Sequence, residues 1–375
     1  MTSLAPGTID EVSEVLKEAN SVRFAGGGTK VGWGETIDLP DIELSTKQLC
    51  EIVEHNAGDL TAIVDAGVTL ERAQQKFGEA GQMLALDPPI DGGATIGGIA
   101  ATGDSGPLRH RYGAIRDLVV GATLVLADGT VARSGGKVIK NVAGYDLAKL
   151  FCGSFGTLGL IARVAVRLHP LAPRTLTLAA RGDPRMLQDA ALTLAHLPLE
   201  MDCLDVRYAD GAGEILARFG GADPEGRLEA ATGALRKSGI ELETIANDTE
   251  LWDRQRRSQR NQTGAVVKVS ALAAAAARVM ESADRIGASV VGRAGMGLFW
   301  ISLDGDDSEL VAGIDELRGS LTEWYAVVLD APESVRRKVD VWGRADDGAV
   351  GVMKRLKRRF DPHRKCNPGL FVGAI

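Results

Sequence analysis

Cysteine is scarce in this 375-residue chain. Four are present, Cys50, Cys152, Cys203 and Cys366, and no two stand in a CxxC pair. That spacing excludes an iron–sulfur cluster or a zinc ribbon held by this chain alone, and it reads as idle reduced thiols. Aromatic residues make up 5% of the chain, too few for a platform on which successive bases stack. Positive charge is not in excess: 43 Lys and Arg stand against 50 Asp and Glu, a net charge of −7. A general attraction to nucleic acid or to an anionic membrane is thereby excluded. No apolar run approaches the roughly 20 residues of a spanning helix. The opening MTSLAPGTIDEV has neither the basic start nor the apolar stretch of a secretory signal. The expectation is a cytoplasmic protein without a transmembrane segment.

What remains is an ordinary globular composition, 45% hydrophobic and 25% charged, in a chain long enough for two domains. Local patterns predict α+β structure. Thr8-Ile9-Asp10-Glu11 reads as a capping box opening a helix to about Asn20, and Ser45-Thr46-Lys47-Gln48 as a second one, opening a helix with Leu49, Ile52 and Val53 on one face. Strands are expected at 22–24, 61–66 and 159–169, a helix at 70–79, and a hairpin over 117–131 around Asp128-Gly129. Beyond residue 174 glycine clusters thin out. Helices are expected at 186–197, 225–238 and 272–286, and strands at 204–208, 266–270, 297–303 and 326–329. A basic helix, 352–360, precedes the tail.

The 46 glycines concentrate where they bear on function. One cluster is Ala25-Gly26-Gly27-Gly28-Thr29-Lys30, a strand-to-loop turn with backbone N–H groups, a hydroxyl and an ammonium suited to a pyrophosphate. No Gly-Lys-Ser or Gly-Lys-Thr occurs, which excludes a Walker loop, and no suitable helix and acidic residue follow to make a Rossmann fingerprint. Taken alone, such a cluster is more often a plain turn than a binding site. The second cluster runs from Pro88 through Thr95-Ile96-Gly97-Gly98 to Ala101-Thr102, then Ser105-Gly106 and Arg111-Tyr112-Gly113. Small residues there would let a flat ring or diphosphate lie against the backbone, or let a helix start pack tightly on a sheet.

The pairing of GGGTK with PPIDGGATIGGIAATGDSG and RYG, the run KNVAGYDLAKLFCGSFGTLGLI and the tail FDPHRKCNPGLF together resemble the vanillyl-alcohol-oxidase, or PCMH-type, family of FAD-binding proteins. Within it, they are most similar to the FAD-binding subunits of bacterial glycolate oxidases, the GlcE type. The resemblance is dense over residues 20–170 and returns in the last 25 or so. It implies a two-part FAD-binding domain over 1–170, a ferredoxin-like α+β cap over 171–345, and a C-terminal segment, 346–375, returning to the first domain. It implies FAD held between Ala25–Lys30 and Thr95–Gly98, with Pro88, Ala101, Thr102, Ser105, Gly106 and Arg111–Gly113 along the flavin. Gly159, Ile161 and Asn367 would complete the site.

Two departures shape the reading. The first loop has no histidine of the kind that bonds FAD covalently, so non-covalent FAD is expected. The cap segment Val291-Gly292-Arg293-Ala294-Gly295-Met296-Gly297-Leu298 keeps the glycines of the relatives' histidine-rich metal motif and none of its histidines, so no metal is expected. For a 2-hydroxy acid, Arg256 and Arg260 are candidate carboxylate ligands, with a solvated helix face as the plain alternative. Tyr145 and Asp146 read as polar groups near the flavin or as structural hydrogen-bonding partners. No catalytic base is identifiable. The resemblance further implies a second FAD subunit and an iron–sulfur subunit as partners, which would carry any attachment to the inner membrane. Three readings remain: a glycolate oxidase subunit, a non-catalytic electron-relay subunit, and a stand-alone flavin oxidase.

Overall fold

The computed structural model describes residues 1–89, 92–136 and 146–375. It is α+β throughout and divides into two compact units. One comprises Met1–Ser105, Gly113–Leu171 and Ala345–Ile375; the other comprises Gly106–Tyr112 and Ala172–Arg344.

The first unit holds β1 (Thr2–Leu4), β2 (Val22–Ala25), β3 (Ile42–Ser45), β4 (Ile52–Asn56), β5 (Thr61–Asp65), β6 (Gln82–Met83), β7 (Val119–Val125), β8 (Val131–Gly135), β9 (Leu160–Arg167) and β10 (His169–Pro170). A parallel sheet runs β1-β3-β2, an antiparallel one β4-β5-β9-β7-β8, and β6 pairs with β10. The helix Ile9–Glu18 begins as its sequence predicts. The Thr8 hydroxyl accepts the Glu11 N–H at 3.2 Å, and the Glu11 carboxylate accepts the Gly7 N–H at 2.7 Å. Its apolar face, Val12 and Leu16, packs on Val22, Leu44 and Leu160. Thr8→Ala is expected to lower stability by about 1 kcal/mol in chemical denaturation.

The hairpin at Asp128-Gly129 forms, with Gly129 at φ +82° and Val125 opposite Val131. By contrast, Ser45–Gln48 opens no helix. Ser45 ends β3, the Thr46 N–H donates to the Ala25 carbonyl at 2.8 Å, and the Leu49 N–H turns back to Thr46 at 2.9 Å. Ile52 and Val53 then enter β4 against β5. The β-branched pair follows its sheet neighbour, and the local capping pattern is overridden. Strand β9 lies between β5 and β7 and is buried on both faces over most of its length, although its sequence alternates.

The tail returns to this unit. Val22 donates to the Lys365 carbonyl at 2.8 Å and Asn367 donates to the Val22 carbonyl at 2.9 Å, extending the parallel sheet beside β2. The helix Asp347–Phe360 is pinned by one of its own cations. Lys357 Nζ, buried, donates to Asp361 Oδ2 at 2.7 Å, to the Thr157 carbonyl at 2.7 Å and to the Cys366 carbonyl at 2.8 Å.

The second unit is built on β11 (Thr175–Gly182), β12 (Cys203–Ala209), β13 (Ala212–Gly220), β14 (Glu241–Ile245), β15 (Ala265–Ser270), β16 (Ser289–Arg293), β17 (Leu298–Leu303) and β18 (Tyr325–Asp330). They form one antiparallel sheet in the order β14-β11-β13-β12-β16-β17-β15-β18. The helices Pro184–Ala195 and Pro224–Leu235 interrupt the first four strands, and Ala276–Asp284 and Asp307–Ser320 the last four. Each half is therefore a β-α-β-β-α-β ferredoxin-like motif. The sequence reading expects one such motif; the structure has two, joined through β12 and β16. The four helices cover one face over a shared apolar core that includes Leu204, Val290, Phe299 and Ile314. Trp252 and Leu251, from the helix Thr249–Arg257, pack on Ala179, Cys203 and Leu216 of the strands.

Candidate cofactor site

In the first unit, a cleft open in part to solvent is lined by the end of β2, the loop after it, the start of the helix Ile96–Thr102, the turn before β9 and the C-terminal tail. The two glycine loops meet in it backbone to backbone. A Cβ on Gly26 would overlap the Thr95 side chain, and one on Gly27 would overlap the Gly93 carbonyl. These two glycines thus serve the approach of one loop to the other. Gly28, at φ +81° with no atom within 4 Å of a would-be Cβ, is the position whose bare backbone faces open space.

The backbone N–H groups of Gly26, Gly27, Gly28 and Lys30 donate to no protein acceptor among the described residues. Successive free N–H groups on a glycine turn form an anion-binding concavity. Opposite them, the Thr95 hydroxyl accepts the Gly98 N–H at 3.2 Å and caps the short helix. Lys30 behaves differently from the expectation of an ammonium free for phosphate. Its Nζ lies 3.1 Å from Asp104 Oδ2, with the two side chains 6% and 2% exposed, so its charge is already balanced. The anion-attracting groups of the loop are therefore its backbone dipoles.

The tail closes the site through Asn367, a buried residue at φ +42°. Its Oδ1 accepts the Phe24 N–H at 3.1 Å and its Nδ2 donates to the Phe155 carbonyl at 2.6 Å. The side chain thereby ties β2 to the turn before β9 at the edge of the cleft.

Of the residues assigned to the cofactor by resemblance, Ala25, Gly26, Gly27, Gly28, Thr29 and Lys30 line the cleft. So do Thr95, Gly97, Gly98, Ala101 and Thr102, and with them Gly159, Ile161 and Asn367. Four others in the same unit do not. Ile96 turns into the core, Pro88 is buried elsewhere, Ser105 donates its N–H to Asp104 Oδ1 at 2.9 Å, and Gly113 makes a left-handed turn before the helix Ile115–Leu118. Gly106, Arg111 and Tyr112 belong to the second unit. There Arg111 Nη1 donates to Asp202 Oδ1 at 2.7 Å, and burial, then Asp202, push the Tyr112 phenol up to about 12. The sequence reading missed Phe24, Trp33, Phe155 and Leu370, which give the cleft its apolar surface. Trp33 and Phe155 adjoin glycine runs, the one signal available for them.

The tentative substrate residues separate. Arg256 pairs with Asp253 one helical turn away, and Arg260 Nε donates to Asp330 Oδ2 at 2.6 Å. Tyr145 lies outside the described residues. Asp146 is a helix cap, accepting the Lys149 N–H at 3.3 Å. In the segment 291–298, Arg293 is wholly buried: Nη1 lies 3.1 Å from Asp205 Oδ2, Nε donates to the Gly106 carbonyl at 2.9 Å, Nη2 donates to Gln259, and the guanidinium sits 4.6 Å from the Trp300 ring centre. Among the described residues no group of three or more His, Cys, Asp or Glu is placed to hold a metal ion, and no helix is long and apolar enough to cross a membrane.

Comparison with known proteins fits this geometry. Residues 3–135 match the model of the FAD binding domain family. The chain is 36% identical to the D-lactate dehydrogenase of Archaeoglobus fulgidus over 55% of its own length and 47% of that protein's. It is 29% identical to glycolate oxidase subunit GlcE of Escherichia coli K12 over 59% of its length and 65% of that protein's. To the D-2-hydroxyglutarate dehydrogenase of Xanthomonas citri pv. viticola it is 25% identical over 97% of its length and 87% of that protein's. The chain thus spans less than two thirds of the first two. Among solved structures, alkyldihydroxyacetonephosphate synthase superposes with a TM-score of 0.76 at 16% identity, covering 98% of this chain and 76% of that one. p-Cresol methylhydroxylase with substrate bound does so with a TM-score of 0.75 at 17% identity, covering 98% and 88%. The chain thus carries an FAD-binding domain of the PCMH-type fold, built around two touching glycine loops, together with a second, β-sheet unit.

Proposed function

We propose that this chain is an FAD-dependent oxidoreductase acting on a CH–OH group, and specifically the FAD-binding subunit of a glycolate oxidase that converts a small 2-hydroxy acid to its 2-oxo acid. The observation that carries the reading is the row of open N–H groups at Gly26–Gly28, set against the capped helix at Thr95 inside the matched domain. The named relatives act on 2-hydroxy acids by their names, and two of the matched proteins are subunits of glycolate oxidase. FAD, when bound, supplies the hydride acceptor. Gly26–Gly28 would receive its pyrophosphate, and Phe24, Trp33 and Ile161 its apolar portions. We take it to be non-covalent, since no histidine, cysteine or tyrosine lines the cleft among the described residues. A second FAD subunit and an iron–sulfur subunit complete the proposed enzyme.

One observation favours the electron-relay reading as second choice. Arg293 is closed in by Asp205, Gln259 and Gly106, and Arg256 and Arg260 already carry carboxylates, so a substrate carboxylate would have to compete for each arginine. The visible spectrum of the purified chain, reconstituted with FAD, separates the readings. Bleaching on anaerobic addition of glycolate alone is the expected result for a complete substrate site. A flavin spectrum that bleaches only with a partner subunit present supports the relay role. Absence of any flavin overturns the cofactor reading itself.

A further inference from the structure

The C-terminal helix Asp347–Phe360 has two sides of opposite character. Lys357 turns inward, held by the Thr157 carbonyl and Asp361. Phe360 packs edge-on to Phe151, with ring centres 5.5 Å apart. Lys354, Arg355, Arg358 and Arg359 are all exposed, and none makes an ion pair with a carboxylate among the described residues. They stand at i, i+1, i+4 and i+5, so they form one contiguous face with like charges at i, i+4, an arrangement that costs helix stability.

Ordinary helix physics accounts for part of this. Cations in the last turn complement the helix dipole, which explains Arg358 and Arg359. It does not explain Lys354 and Arg355, which lie above that turn. The chain as a whole is acidic, with a net charge of −7, yet residues 348–375 contain seven Lys and Arg and one acid. That acid, Asp361, is buried on Lys357 and screens nothing outside.

Position gives the charge its meaning. Thr157, the inner anchor of Lys357, adjoins Phe155 and Gly156 in the cleft wall, and Asn367 of the same tail lines the cleft. We propose that the face of Lys354, Arg355, Arg358 and Arg359 is a docking surface for an acidic patch on a protein electron acceptor. The inference rests on the redox reading above. A membrane is the poorer fit. The helix keeps its Leu356 and Phe360 half-buried against its own unit, and three of the four cations are arginines, whose planar forks match carboxylates.

The test uses the full chain with FAD and an acidic [2Fe–2S] ferredoxin as the probe. The parent is expected to bind it, weakening about tenfold or more between about 50 and about 200 mM salt as charge is screened. The quadruple variant Lys354→Gln, Arg355→Gln, Arg358→Gln, Arg359→Gln is expected to lose about tenfold in affinity at low salt. It should keep its melting temperature and its flavin content. Equal binding by parent and variant, or no binding by the parent, overturns the proposal. Attachment of the parent to vesicles with roughly 30% phosphatidylserine, lost in the variant, overturns it in favour of a membrane. Binding is read by isothermal titration and flavin content by absorbance, so failure of the redox reading shows separately as a chain without flavin.

Discussion

Gly27→Ala should leave the purified chain with less than about a tenth of the flavin of the parent, since a tenfold loss of affinity takes only about 1.4 kcal/mol. The added methyl cannot be met by a side-chain rotation. It would overlap a backbone carbonyl, that of Gly93, so the two glycine loops must part. Overpacking of this kind costs roughly 1–3 kcal/mol where side chains can give way, and more where only backbone can. Parting the loops moves the open N–H groups of Gly26–Gly28 away from Thr95 and spoils the anion site. The check is the ratio of flavin to protein absorbance after reconstitution with FAD. Gly78→Ala is the control: a Cβ there meets nothing within 4 Å, and the residue closes an ordinary helix. If Gly27→Ala retains full flavin while melting normally, the cleft is not the cofactor site.

Arg293→Met is expected to be nearly neutral at pH 5 and to cost about 2–3 kcal/mol at pH 8, at about 1.4 kcal/mol for each pH unit above the Asp205 value. In a unit of this size that is a fall in Tm of roughly 5–10 °C. The sign follows from Asp205. Burial pushes its carboxyl up to about 6, against the opposing pull of Arg293 and Gln255. A carboxyl raised in the native state keeps its proton to higher pH than in the unfolded chain, so folding loses stability as pH rises from about 4 to about 6. Removing Arg293 removes the pull that limits the rise. The native carboxyl then titrates higher still, and the loss extends further up the scale. At pH 5 the side chain is largely protonated with or without its partner, and the substitution shows little. Thermal melts of parent and variant at both pH values check this. A pH-independent loss would mean that the hydrogen bonds to the Gly106 carbonyl and Gln259 carry the effect.

Local features were the legible part of this chain. Thr8 accepts the Glu11 N–H and Glu11 accepts the Gly7 N–H within one turn of helix, and Asp128-Gly129 closes a hairpin, so each can be read from a handful of neighbours. The glycine loops were legible as a pair because no local structure explains so many glycines. Their geometry was not: the sequence suggested bare backbone offered to a ligand, whereas Gly26 and Gly27 are shaped by Thr95 and Gly93, some seventy residues away. Lys30 read as a free cation because Asp104 is equally distant in sequence. The false helix at Ser45–Gln48 has the same origin: its capping pattern was sound locally, and the Ala25 carbonyl and β5 decided otherwise. Nor does periodicity reveal that the cap is doubled, since the two motifs share strand order without obvious repetition of sequence.

That doubling sets the limits of the sheet. β12 and β16 are the second strands of their respective motifs, and they pair antiparallel, with Asp205 opposite Arg293. The first helices also meet across the seam, where Gln188 Oε1 accepts the Ala277 N–H at 3.1 Å. The same strand of each half thus faces its counterpart, which is the form of an isologous two-fold interface folded into a single polypeptide. Closure of that kind consumes one of the two edges of each motif. Only the outer strands, β14 and β18, end the sheet. β14 carries Glu241 and Glu243 at its exposed positions, a charged rim that discourages a ninth strand.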